Sequence, residues 1–390
     1  VLENLSITRN RYMDYPMDPK RVIWYGRRLG YAGDFRKAIK IFTEGTLDFP
    51  NDPKFYRHRG HRYITVREFD RAIADLEKAA TLIKGKSNIV EEDGAPNAAG
   101  IPVSTLHGNI YYHLGLAYYL KHDWENAKRV YDLDHNVARN DDNRVSIAHW
   151  RYMIRRRMGE THDQAKHVLD EINADMKILE NHTYHKLDMF YKGELSEAEI
   201  SKDIALEDSA DAATAYGLAN WYYYNGDEAK AKEMMTKMLN AKSWGSFGYI
   251  AAEADLAARA HLLSSKIDDY LKGNDISGLR EYCVTAGRSS GTRITVIESK
   301  GKVLADSNED PDVMDNHRSR DEIKTALSGK LGSSRRFSPT LDENRVYVAI
   351  PRNIEIEGEK QLVVLRTSVS VSSLDRTLSS IKTRIILGSF

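Results

Sequence analysis

A single cysteine, Cys283, stands among 390 residues, so no internal disulfide can form and no cysteine cluster exists to grip zinc. Net charge is equally scarce. Lysine plus arginine and aspartate plus glutamate each number 57, a formal balance of +0 that gives the chain no global basic field for nucleic acid or an anionic membrane. No uninterrupted apolar run approaches the roughly 18 residues a membrane-crossing helix needs. No charged segment followed by apolar and then small residues opens the sequence at Val1. As given, the chain is expected to be soluble, without a membrane span. A phosphoacceptor-histidine helix with a glycine-rich ATP lid is also missing, which excludes kinase chemistry from these residues.

What is there begins with a repeat. Glycine, an aromatic nine residues on and alanine twelve residues on recur at Gly26/Phe35/Ala38, Gly60/Phe69/Ala72 and Gly115/Trp124/Ala127, the first two copies 34 residues apart. Small residues let two antiparallel helices approach, the aromatic is expected to fill the gap where they diverge, and hairpins of this kind must stack to bury their faces. Arg21 to Ala32 and Lys37 to Leu47 read as the first hairpin, broken at Gly33-Asp34 and stopped by Phe49-Pro50-Asn51-Asp52-Pro53. Residues 54–83 repeat the plan. About 21 residues are inserted before the third copy, and the insert, 85–107, carries the turn-rich Glu91-Glu92-Asp93-Gly94-Ala95-Pro96-Asn97. It is either a solvated excursion or a flap over a binding groove. Met153 with Ala165 and Gly217 with Ala229 mark degenerate later copies, each still read as a helical pair.

Through Gly26, Phe35, Ala38, Phe42 and Pro50, and through Gly60, Phe69, Ala72 and Ala79, residues of about 18–260 resemble the tetratricopeptide repeat family. The resemblance implies a superhelix whose first helices line a concave face. Family positions then place Lys20, Ile23, Arg27, Lys54, Arg57, His61, Asn109, Tyr112, Leu116 and Tyr119 on that face. Such a groove suits an extended peptide or an acidic protein segment, because arginine forks to carboxylates and aromatic faces take apolar side chains; the alternative is a merely solvated face. The lysine and asparagine clamp by which some family members hold a terminal carboxylate is not reproduced, since Ile23, Arg27 and Leu116 occupy three of its places.

Histidines are frequent: His58, His61, His107, His113, His149, His182 and His185 all lie in this region. His182 and His185 share a helical face, but without a fixed carboxylate or cysteine partner the pair reads as structural or surface. An enzyme or metal-binding protein using these histidines, with Glu91, Glu92 or Asp93 as a lid, is the alternative to a non-enzymatic binding module; no cofactor and no metal site are expected.

Near residues 257–261 the repeat pattern ends without a Pro/Gly/Ser-rich linker, giving expected domains of 1–260 and 261–390. A long helix, His261 to Arg288, is expected to lead into a hairpin of Thr292 to Glu298 with Lys302 to Asp306. An acidic loop, a short helix from Arg320 to Ser328, strands at Ser333 to Ser338, Val346 to Pro351 and Leu362 to Val371, and a closing helix Ser372 to Ile386 complete an α+β unit.

Thr292-Arg293-Ile294-Thr295-Val296-Ile297, Val303-Leu304-Ala305-Asp306-Ser307, the run Met314 to Ile323 and Tyr347-Val348-Ala349-Ile350-Pro351 resemble the PAS-like or Cache-like extracytoplasmic domain of phosphate-regulon-type bacterial sensor histidine kinases. That resemblance covers most of 262–386. It implies a periplasmic two-component sensor module, a homodimer through the first helix, and Thr377 to Arg384 feeding a membrane span. Asn316, His317, Arg320, Arg335, Arg336 and Tyr347 are candidates to gather around a small anion. Equally, Asn316 and His317 can cap the helix near Arg320, Arg335 and Arg336 can be surface residues, and Tyr347 can be core. The expected fold is a tetratricopeptide superhelix followed by an α+β sensor domain. Two origins stay open, a natural export-competent protein and a fusion of two excised domains joined near 258–263.

Overall fold

Two Asp-Pro steps, Asp18-Pro19 and Asp52-Pro53, open helices 34 residues apart in the computed structural model, which describes residues 2–92, 96–201, 209–239, 244–338, 343–356 and 358–370. Asp18 accepts from the Lys20 and Arg21 amides and Asp52 from the Lys54 amide, holding donors that a first helical turn leaves unpaired, while proline at the first position presets φ. The helices run α1 Leu2–Asp14, α2 Pro19–Tyr31, α3 Phe35–Asp48, α4 Pro53–Thr65, α5 Phe69–Leu82, α6 Leu106–Leu120, α7 Trp124–Val137 and α8 Asp141–Arg157. After these come α9 His162–Ala165, α10 His182–Lys192, α11 Glu197–Ser201 and α12 Ser209–Tyr224. Consecutive helices from α1 to α8 pack as neighbours, and α2, α4, α6 and α8 also touch in turn, so the first helices of the hairpins form one continuous row.

Each hairpin closes on a glycine lying beneath a large side chain sixteen positions further on. A Cβ on Gly26 would stand 2.5 Å from Phe42, on Gly60 2.7 Å from Leu76, and on Gly115 2.6 Å from Tyr131. Ala38, Ala72 and Ala127 are fully buried beside them. The aromatics nine positions on play a smaller part than expected: Phe35 and Trp124 are only half-buried, and Phe69 alone joins the core. The reason is helical geometry. Phe42 lies two turns beyond Phe35 on the same face of α3, at the closest approach of the two helices rather than where they diverge.

The later copies depart from the plan. Ala165 is buried, but its helix α9 is a single turn followed by a 3₁₀ turn at Lys166–Leu169, so the second member of that pair is truncated. Gly217 approaches Leu187 and Tyr191 of the earlier helix α10, where the Gly217/Ala229 spacing points to the helix after it.

The described residues divide into two compact units between Asp227 and Glu228. The second comprises α13 Glu228–Leu239, α14 Phe247–Lys272, α15 Ile276–Ser290, β1 Arg293–Glu298, β2 Val303–Asp306, α16 Asp321–Leu327, β3 Gly332–Ser338, β4 Glu343–Ile356 and β5 Glu359–Ser370. The single helix expected over His261 to Arg288 is two helices. Asn274 takes a left-handed φ of 51°, and Asp275 caps α15 through the Gly278 amide. In the other direction α14 starts at the Ser246 cap and passes residue 260 without interruption.

All strand pairs are antiparallel, in the order β2-β1-β5-β4-β3. Strand alternation sorts the sheet into two faces. On one face, α14 lies against β4 and β5, with the Thr367 hydroxyl donating to the Leu256 carbonyl. On the other, Ile323 and Ala326 of α16 pack with Ile297, Val303, Ala349 and Val364. The expected closing helix, Ser372 to Ile386 with Thr377 to Arg384, lies outside the described residues.

Candidate functional sites

In the first unit, α2, α4 and α6 present Lys20, Arg27, Arg57 and Asn109 along the row of first helices. The insert turns back on itself through a bridge of Val90 with Thr105, the Glu91 amide donating to Ser104 O at 3.0 Å and the Leu106 amide to Ile89 O at 2.8 Å. That ribbon delivers two consecutive carboxylates to the row. Glu91 Oε2 lies 3.2 Å from Arg57 Nη2 and accepts from Asn109 Nδ2 at 2.5 Å. Glu92 Oε1 meets Lys20 Nζ at 2.6 Å, and the Glu92 backbone carbonyl accepts from Arg27 Nη1 at 2.9 Å. Lys20, followed by Trp24 and Arg27, draws the Glu92 carboxyl below its ordinary value.

The remaining expected groove residues divide by depth. Lys54 is half-exposed and gives its amide to the Asp52 cap, and the His61 ring lies 4.3 Å from that of His113. Tyr112 is half-buried, its hydroxyl accepting from Trp150 Nε1 at 2.9 Å and lying 3.1 Å from Tyr184 Oη. Ile23, Leu116 and Tyr119 are buried in the core, Tyr119 sharing a hydrogen bond with Tyr216 at 2.9 Å. Those three do not line an open surface. A residue on the first helix can face the preceding or following hairpin instead of the groove, and sequence offset alone does not separate the two.

Burial sets the electrostatics. It pushes Arg62 down to about 10, with Arg57 and Arg27 adding repulsion, and it lowers Arg57 despite Glu91. Burial drives His58 and His61 well below the usual histidine value and brings His113 and His149 down to about 3. These rings are neutral packing elements. His107 is also buried, His182 is exposed, and His185 Nε2 lies 2.9 Å from Asn173 O. Among the described residues no group of three or more His, Cys, Asp or Glu is placed to hold a metal. Asp93, the third acid expected in a lid, lies outside the described residues.

The second unit gathers arginines on the α16 face of its sheet. Glu322, fully buried, accepts from Ser334 Oγ at 2.5 Å and Arg336 Nη2 at 3.1 Å, with Arg366 Nη1 at 3.4 Å. Arg336 and Arg366 stack on the Tyr347 ring at 4.0 and 4.8 Å. Burial alone would raise Glu322, yet the Ser334 hydrogen bond and the two guanidinium charges bring it below the ordinary value. Burial, then Arg366 and Arg320, lowers His317 to about 3. The buried Nε atoms of Arg320, Arg336 and Arg366 and Nδ1 of His317 have no hydrogen-bond partner among the described residues.

Four of the expected anion residues, His317, Arg320, Arg336 and Tyr347, are thus brought together. Two are not. Asn316 braces a turn, donating to Lys300 O at 3.0 Å and accepting from the Arg318 amide at 2.9 Å, beside a surface hollow of about 660 Å³. Arg335 is exposed, because alternation turns it away from the face that Arg336 occupies. Sequence reasoning missed Arg366 and Glu322. The available signal was an arginine placed directly after the apolar run Leu362-Val363-Val364-Leu365 within a strand.

No protein-family profile matches the sequence, and no curated protein matches it. Among solved structures it is similar to YrrB, described as a TPR protein with an unusual peptide-binding site, at 15% identity and TM-score 0.33, covering 64% of this chain and 97% of that one. It is also similar to Naa15/Naa10 bound to HypK-THB, at 13% identity and TM-score 0.28, covering 69% of this chain and 40% of that chain.

Proposed function

We propose that the first unit is a non-enzymatic binding array of tetratricopeptide type whose row of first helices holds an extended protein or peptide segment. One observation carries this reading. The row already grips a length of extended chain by both its side chains and its main chain, through Arg57, Asn109 and Lys20 on carboxylates and Arg27 on a carbonyl. Charge-assisted contacts of this kind are the strong ones and fix register along a peptide. Titrating the chain with a peptide library by fluorescence anisotropy tests it. With Glu91 and Glu92 changed to glutamine in both proteins, so that the chain's own carboxylates do not compete, peptides should bind a Lys20→Met/Arg27→Met variant roughly tenfold more weakly. Unchanged affinity in that variant, which alters exposed or half-exposed side chains, refutes the groove.

A second reading concerns the other unit, as a sensor-like module for a small anion in an extracytoplasmic, dimeric signalling setting. Its support is local. Arg336 and Arg366 pair with one carboxylate, Arg320 lies near enough to repel Arg336, and all three keep donors without partners among the described residues, a surplus of positive charge that suits carboxylate or phosphate. Isothermal titration with inorganic phosphate and with succinate should release heat at millimolar concentration and lose it in Arg336→Met. Flat titrations with both remove the reading.

A further inference from the structure

The groove is not empty, and what fills it belongs to the chain itself. Glu91 and Glu92 meet three cations, Lys20, Arg27 and Arg57, so positive charge exceeds negative even with both carboxylates in place. The two contacts differ in depth: the Glu91 side chain is 10% exposed and the Glu92 side chain 61%. The return arm of the ribbon is anchored, Val103 being buried with its carbonyl accepting from Asn140 Nδ2 and Asn143 Nδ2, but little apolar packing holds the arm that carries the two carboxylates. Ile89, Val90 and Ile101 are 44, 54 and 54% exposed, although large apolar residues in a permanently docked insert would be expected to face inward. Charge, together with a short main-chain bridge, keeps residues 89–92 on the row, and a segment held by so few buried contacts opens at low cost.

Resting on the groove reading given above, we infer that Glu91–Glu92 is an internal occupant of this subsite, and that the partner segment it stands in for carries two adjacent carboxylates. The chemistry is specific. Arg57 and Asn109 together present a guanidinium and an amide to the first carboxylate, Lys20 presents an ammonium to the second, and Arg27 reads the main-chain carbonyl of the second residue. An acidic segment reproduces every one of these contacts, whereas an apolar or basic segment leaves Arg57 buried without a counter-charge. Because the insert is tethered, its local concentration is high, and an incoming segment binds only in the fraction of molecules whose insert has lifted. Weakening the insert therefore strengthens the binding of the partner.

The experiment uses the full chain and two fluorescein-labelled peptides, one with adjacent glutamates in a neutral Gly/Ser context and one with glutamines in their place. The Glu91→Gln/Glu92→Gln variant should bind the glutamate peptide at least about tenfold more tightly than the native chain, and should not gain affinity for the glutamine peptide. Glu92→Gln alone, at an exposed side chain that leaves the buried Arg57 pair intact, should show an intermediate gain and guards against a misfolded double variant. On the native chain, the glutamate peptide should accelerate hydrogen exchange of amides 89–92 and 104–106. Equal affinities in native and variant chains with unchanged exchange overturn the inference, and so does equal gain for the glutamine peptide. If library peptides still bind the Glu91→Gln/Glu92→Gln chain and are lost when Lys20→Met/Arg27→Met is added, only the inference falls; if no peptide binds either protein, the groove reading falls with it.

Discussion

Asp306→Ala lowers the stability of the second unit by about 3–5 kcal/mol, the scale at which removing one partner of a buried ion pair strands the other charge. Asp306 is fully buried and receives Arg293 Nε at 2.9 and 3.0 Å, Thr295 Oγ1 at 2.7 Å, and the Asn308 and Glu309 amides at 2.9 and 3.1 Å. It ties β1 to the end of β2 and shapes the loop that follows. Without it the Arg293 guanidinium, 2% exposed, keeps its desolvation and loses its counter-charge. Hydrogen exchange of the β1 amides in the full chain reads the effect, with acceleration of roughly a hundredfold or more. The double variant Arg293→Met/Asp306→Leu should recover a large part of the loss, since neither charge is then stranded. A loss below about 1 kcal/mol for Asp306→Ala, the range of surface pairs, contradicts this account.

The repeats were legible because a hairpin's closest approach leaves a mark in sequence. Gly26, Gly60 and Gly115 recur at positions where a Cβ would collide with a neighbouring side chain, and the buried alanines follow at a fixed offset. Less legible was which large residue fills that approach. Periodicity assigns Phe35 and Phe42 to one face of α3, and only the helix crossing decides that Phe42 takes the centre. The groove followed the same rule. Lys20, Arg27, Arg57 and Asn109 were placed with the row, whereas Ile23, Leu116 and Tyr119 sink between hairpins that sequence offsets do not position. In the second unit the strands were readable from alternation and turns, but facing depends on register. Arg335 and Arg336 are adjacent in sequence and lie on opposite faces, and Arg366 joins Glu322 only through the pairing of β5 with β4. Asn274 and Asp275, a left-handed residue and a cap, were the missed signal dividing α14 from α15.

Taking the pH from 7.5 to 5 destabilises the first unit by roughly 4 kcal/mol through rings that the fold keeps neutral. His113 and His149 are brought down to about 3 by burial, and His58 and His61 lie well below the ordinary value of 6.5 for the same reason. A depressed folded-state pKa contributes stability that is complete above the unfolded value, near 6.5, and is lost as pH falls toward the folded value. Between these limits the unfolded chain binds the extra proton. Three buried carboxyls act in the opposite sense. Burial raises Asp75, and raises Asp134 and Asp188 well above 3.8, so their contribution is present below the unfolded value and is lost as pH rises through the folded one. His113 and His149, at about 3, together account for about two protons, or roughly 2.7 kcal/mol per pH unit below 6.5, while the lowered His58, His61, His107 and His162 add to this and the raised carboxyls subtract from it. Trp24, Trp124, Trp150 and Trp221 all belong to the first unit, so urea unfolding followed by tryptophan fluorescence reports chiefly on it. His149→Gln, at a ring whose Nδ1 lies 3.4 Å from Tyr191 Oη, should flatten the dependence by about 1.4 kcal/mol per pH unit. A urea midpoint that stays constant from pH 7.5 to 5 would mean that the buried rings do not remain neutral, and that the packing of α4, α6 and α8 around them tolerates charge.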